Sequence, residues 1–124
     1  MLNALERAVL DKLFAGDHPS FPVFRAQIEQ VHVLERTSSG VSFFSDLFVP
    51  QELPTARLKK DAVWFGDVVA DFDGLEHGAS FVVRIADGRL EMLEGSTLDE
   101  PWPTEGTPFT LRYEPFPRDL SALD

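Results

Sequence analysis

The 124-residue sequence predicts an α+β domain: two N-terminal helices packed on one face of an antiparallel sheet of about six strands. Three observations carry this expectation. Apolar residues recur at helical spacing as far as residue 30 and with a period near two beyond it. The strand-like segments follow one another through mostly short turns, which pairs successive strands antiparallel. Apolar residues make up 44% of the chain, eleven of them Phe, enough for one aromatic core. No linker or repeat divides residues 1–124, so they read as a single domain.

The first helix is expected over residues 4–15. Asn3 and Glu6 have the spacing of a capping box, Leu2, Leu5, Val9 and Leu13 form a stripe that Leu10 and Phe14 widen, and Gly16 stops it. Ser20 is placed to cap a second helix with Pro22 in its first turn, Phe21, Phe24 and Ile28 on one face, and an end near Gln30. From Val31 the pattern alternates to Arg36, Ser38-Ser39-Gly40 turns the chain, and Val41 to Val49 is the second strand. Residues 50–61 hold two prolines and the basic trio Arg57, Lys59 and Lys60, which reads as a solvated loop. Val63 to Phe72 is the third strand; strict alternation sets Trp64, Gly66, Val68, Ala70 and Phe72 against Val63, Phe65, Asp67, Val69 and Asp71.

Residues 73–78 form a glycine-bearing turn, followed by a fourth strand from Ala79 to Ala86 and a fifth from Arg89 to about residue 94. Asp87-Gly88 between them signals a two-residue primed turn. That turn pairs Arg84 with Glu91 and Phe81 with Glu94, which places Glu94 on the apolar face with Ile85, Leu90, Val83 and Met92. Phe109, Leu111 and Tyr113 mark a sixth strand, and the proline-broken residues 115–124 read as a loosely held tail. The whole sheet is expected to run as a meander.

With no cysteine, the chain has no disulfide, thiolate nucleophile or Cys-type metal site. Glu6, Arg7, Asp11 and Lys12 deny the first fourteen residues the uncharged stretch of a secretory signal, and no run is long enough to span a membrane. A cytoplasmic, bacterial-type protein without membrane contact is expected. No P-loop, G-x-G-x-x-G or nucleophile elbow occurs, and Asp71-Phe72-Asp73-Gly74 lacks the glycine position and later ligands of a calcium loop. His18, His32 and His77 are too scattered for a local metal site. No cofactor and no metal are therefore expected.

The net charge of −10 is lopsided. Residues 1–62 hold 7 basic and 8 acidic residues, whereas residues 63–124 hold 4 and 13. Such a field repels phosphate backbones, so nucleic acid is not an expected ligand; it either speeds encounter with a basic protein partner or only keeps a Phe-rich chain soluble.

Gly74-Leu75-Glu76-His77-Gly78-Ala79-Ser80-Phe81, the run Asp87-Gly88-Arg89-Leu90-Glu91-Met92-Leu93-Glu94-Gly95-Ser96-Thr97, and Trp102-Pro103 together resemble a pattern in small acidic bacterial proteins. Some of those proteins resemble the immunity proteins that neutralise bacterial toxins. The resemblance spans residues 63–103, implies a binding role and brings no catalytic residue with it.

Candidate sites follow from these patterns. Phe43, Phe44 and Phe48 occupy both faces of the second strand, so Phe44 and Phe48 are candidate interface residues unless the 50–61 loop covers them. On that ground a homodimer or larger assembly is expected, with the second strand at the contact. Trp102, between two prolines, is a candidate anchor for a partner or a cap on the end of the sheet. Glu94, set among apolar residues, is the candidate perturbed acid, with His32 or His77 as its partner in a pocket between helices and sheet, unless the pairing ends before it and Gly95 swings its side chain into water. Asp71 and Asp73 read as turn-flanking acids rather than a carboxylate pair. Two functions fit: a non-enzymatic, immunity-like protein-binding module, or a small-molecule-binding or enzymatic domain built around that pocket. The lack of a nucleophile, metal set or cofactor loop favours the first.

Overall fold

Asn3 and Glu6 start the fold as their spacing predicts. In the computed structural model, which describes residues 1–124, the Asn3 side chain accepts from the Glu6 N–H at 2.8 Å and the Glu6 carboxylate accepts from the Asn3 N–H at 2.8 Å. Helix α1 (Ala4–Leu13) buries Val9, Leu10 and Leu13, and Gly16 leaves it at φ +127°. Helix α2 (Phe21–Gln30) buries Phe21, Phe24 and Ile28. The Phe14 ring lies 4.8 Å from Phe24 and 5.7 Å from Phe21, joining the two helices. Ser20 stands at the N-cap of α2 without capping it, because its hydroxyl bonds the His18 ring Nδ1 at 2.8 Å.

The six strands are β1 (His32–Ser38), β2 (Ser42–Phe48), β3 (Ala62–Phe72), β4 (Ala79–Ala86), β5 (Arg89–Ser96) and β6 (Phe109–Tyr113). All pair antiparallel, in the order β1-β2-β5-β4-β3-β6, with the core between one sheet face and the helices. The α+β class is as the sequence predicts; the simple meander is not. β2 pairs with β5, so β1 is an edge strand and both edges of β2 are occupied. Residues 49–61 carry the chain from β2 past the β4–β5 turn to β3. The Ala56 N–H donates to the Gly88 carbonyl at 3.1 Å, the Asp87 N–H donates to the Asp61 carbonyl at 2.7 Å, and Arg89 holds the carbonyls of Pro50 and Gln51. Arg57, Lys59 and Lys60 are solvated, as expected of a loop. Gln27, wholly buried on α2, ties this crossing to the sheet: its amide N–H groups donate to the Pro54 and Gly88 carbonyls and its oxygen accepts from the Leu90 N–H.

Two bulges correct the expected faces. At Gly66 and Asp67 the β3 register shifts, so that Val63 and Phe65 before it and Val68, Ala70 and Phe72 after it all face the helices. Strict alternation would have sent one of those groups into water. In the β4–β5 hairpin, Asp87 (φ 51°) and Gly88 (φ 74°) make the primed turn, and Ile85 pairs with Leu90. Glu91 is then the extra residue: Arg84 pairs with Met92, Val83 with Leu93 and Val82 with Glu94. The bulge puts both Leu90 and Leu93 in the core and turns Glu94 out, which avoids burying a lone carboxylate.

The tail is held, contrary to expectation. The Arg118 guanidinium binds the Asp67 carboxylate at 2.6 and 3.1 Å, donates to the Leu13 and Ala15 carbonyls at the end of α1, and stacks over the Tyr113 ring at 4.4 Å. A short 3-10 turn (Ser121–Leu123) buries Leu123.

Candidate functional site

The helices cover one face of the sheet and leave the other without a second layer. Side chains that alternate with the core residues point there. One row crosses from Trp64 through Arg84 and Met92 to Asp46 and Glu35; the next runs from Val82 through Glu94 and Phe44 to Thr37. Strand spacing makes the span from Trp64 to Asp46 about 14 Å. Trp64 is 51% exposed and Phe48 43%, while Val82, Met92 and Phe44 are half-buried on the same face. The result is a band in which these apolar side chains alternate with charged ones. Glu35, Asp46, Glu91 and Glu94 lie along it, and the Arg84 guanidinium in its midst is paired with Glu91. The band therefore mixes exposed aromatic side chains with an excess of negative charge.

Phe44 and Phe48 stand on this open face, and the 50–61 loop leaves them uncovered. That loop turns its apolar residues Leu53, Ala56 and Leu58 toward the core instead. Glu94 shares the face, flanked by Phe44 and Val82. His32 lies exposed opposite Phe48 at the far end of the same strand pair. His77 belongs to the turn after β3, where its backbone N–H donates to the Glu100 carboxylate at 2.8 Å. Bonds from the Glu76 and His77 N–H groups hold the Glu100 carboxyl below its ordinary range. The three residues expected to build one pocket are thus dispersed by the Glu91 bulge and by the strand order.

Trp102 is on the opposite side of the sheet. Its ring packs 4.9 Å from Phe43, 5.7 Å from Phe72 and 6.0 Å from Phe81, and its backbone N–H donates to the Gly40 carbonyl at 2.6 Å. These contacts close the end of the sheet, one of its two expected roles.

The buried acid of this chain is Glu6, whose capping role alone was legible. Its side chain is 1% exposed. Oε1 accepts from the Asn3 N–H and from Arg36 Nη2 at 2.7 Å; Oε2 accepts from Arg36 Nε at 3.0 Å and from the Ser45 hydroxyl. Burial by itself pushes this carboxyl up, and the bonds from Arg36, Ser45 and Asn3 outweigh it and bring the pKa below the ordinary 4.5. Glu6 in turn raises the Arg36 guanidinium. Four donors saturate the carboxylate, so it fastens α1 to β1 and β2 and has no lone pair free to act as a base. Sequence reasoning also missed Trp64, because the Gly66 bulge that exposes it has no local signature beyond the glycine.

No three His, Asp or Glu side chains converge into a set that could hold a metal ion, and no helix is long and apolar enough to cross a membrane. Comparison with family models, with curated proteins and with solved structures finds no match to this chain.

Proposed function

We propose that the chain is a non-enzymatic, immunity-like binding module that docks a basic protein through the open face of its sheet. The exposed band of Trp64, Phe48 and their half-buried neighbours carries this reading. Aromatic side chains presented on a rigid sheet are the usual anchors of protein interfaces, and they lose little conformational freedom on binding. The acids along the band and the surplus of negative charge in residues 63–124 would attract a basic surface and orient it before contact.

A second copy of the chain is the other occupant, favoured by the same apolar side chains. A two-fold contact would bring Asp46, Glu91 and Glu94 of both copies together. The basic partner is preferred on that count. A homodimer, where it forms, uses the outer face of β2, since both its edges are taken.

The test is affinity capture from the native cell with wild type and with Trp64→Ser and Phe48→Asp variants, beside light scattering of the free protein. A captured basic protein that the variants lose at unchanged stability supports the reading. Equal capture by wild type and both variants, or none at all, overturns it. A particle of twice 13.9 kDa that Phe48→Asp halves moves the face to self-association.

A further inference from the structure

The inner side of the sheet carries a second feature, independent of the docking face. Beyond the N-terminus of α1, where the helices stop covering the sheet, a cavity of about 750 Å³ opens beneath residues 102–109. That volume is typical of small-ligand sites. Its apolar wall is aromatic: Phe43, Phe72, Trp102 and Phe109, with Trp102 at 4.9 Å from Phe43 and Phe72 at 5.9 Å from Phe109. Gly95 allows this wall. A Cβ there would meet Phe43, Phe81 and Trp102 at 2.5–2.8 Å, so the rings close over a backbone that only glycine leaves open.

The charges on the lining decide the ligand. Glu6, Arg36 and Glu105 are its ionised groups. Arg36 and Glu6 neutralise one another through two hydrogen bonds, at 2.7 and 3.0 Å. Glu105, exposed at the rim within Coulombic reach of Arg36, has no hydrogen-bonded partner and is the one unpaired charge among the lining side chains. Aromatic faces attract cations through their quadrupole, Trp most strongly, and alkylated ammonium groups suit such walls because they are weakly hydrated. An anion would have to bind beside Glu6 and Glu105 and compete with Glu6 for Arg36.

From this we infer that the cavity is a binding site for an alkylated ammonium group, seated against Trp102 and Phe43 with Glu105 as its counter-ion.

Two tryptophans make the test direct. In a Trp64→Phe background Trp102 is the sole tryptophan, and its fluorescence reports the cavity alone. Choline is titrated against 3,3-dimethylbutanol, its neutral isostere, and against phenylacetate. Saturable quenching by choline, with the isostere weaker by about tenfold, is expected. Glu105→Gln, an exposed loop change that leaves the fold in place, should weaken choline several-fold and leave the isostere unaffected. A trimethyl-lysine peptide and its unmethylated counterpart distinguish sources: a methylated peptide tighter than choline assigns the group to a protein side chain, and the reverse assigns it to a free ligand. Equal binding of choline and isostere overturns the inference, as does tighter binding of phenylacetate, indifference to Glu105→Gln, or no response to choline at millimolar concentration. None of these results bears on the sheet face opposite.

Discussion

Glu6 shows how much one residue can be asked to do. As the third residue of α1 it completes a capping box; as a buried carboxylate it is bonded by Arg36 from β1 and Ser45 from β2. Because its pKa is lowered on folding, the unfolded chain takes up a proton before the folded one as pH falls. The stabilisation is therefore complete above the unfolded value near 4.5 and lost as pH falls through the lower folded value. Glu6→Gln should destabilise by about 1–3 kcal/mol at neutral pH, since it exchanges charge-assisted bonds for weaker ones and turns an N–H group toward Arg36. Thermal melts of both proteins at pH 7, 5, 4 and 3 check this: the gap should narrow below 4.5. A gap that is constant with pH means that the loss is one of packing. The sequence showed only the local half of this residue's role, because Asn3 lies three positions away whereas Arg36 and Ser45 lie 30 and 39 positions away.

At the scale of elements the same divide recurs. Helices, strands and the Asp87-Gly88 turn were legible because each is dictated by neighbours in sequence: caps, periodicity, and a pair of residues that tolerates positive φ. The bulges were not, since a period of two has no way to announce an extra residue. Each one nonetheless left a trace in the sequence as a conflict. Strict alternation put apolar residues on both sides of β3 and a glutamate in the core of β5, and a bulge resolves both. The candidate pocket of Glu94, His32 and His77 failed with the register that placed Glu94. Gly66 makes the first bulge testable. A Cβ at this position would overlap the Phe81 carbonyl oxygen on β4, and backbone cannot step aside as a flexible side chain can. Gly66→Ala should cost about 3 kcal/mol, at the upper end for overpacking, and lower the urea midpoint accordingly. A neutral result would mean that β3 and β4 separate at the bulge without penalty. Gly106→Ala, where a Cβ meets nothing within 4 Å but φ is +88°, isolates the cost of conformation alone and should be smaller.

For the whole molecule the deciding quantity is charge. In residues 63–124 all four basic side chains are committed: Arg84 to Glu91, Arg112 to Asp71, Arg118 to Asp67, and Arg89 to the carbonyls of Pro50 and Gln51. Most of the thirteen acids of that half are left without a basic partner. Two effects of salt then oppose each other. Screening weakens the exposed pairs, which are worth at most about 1 kcal/mol each. It also relieves repulsion among the surplus carboxylates, which acts against the compact state at every separation shorter than the Debye length. That length falls from about 30 Å at 0.01 M salt to about 8 Å at 0.15 M, a change that spans the width of a domain this size. Relief of the long-range term should exceed the loss of a few surface pairs, because Asp67 and Arg118 are well shielded from solvent and feel screening least. The melting temperature of the free protein at pH 7 is therefore expected to rise between these two salt concentrations. A melting temperature that falls with salt at pH 7 would show that the ion pairs, and not the surplus charge, govern the electrostatics of this fold.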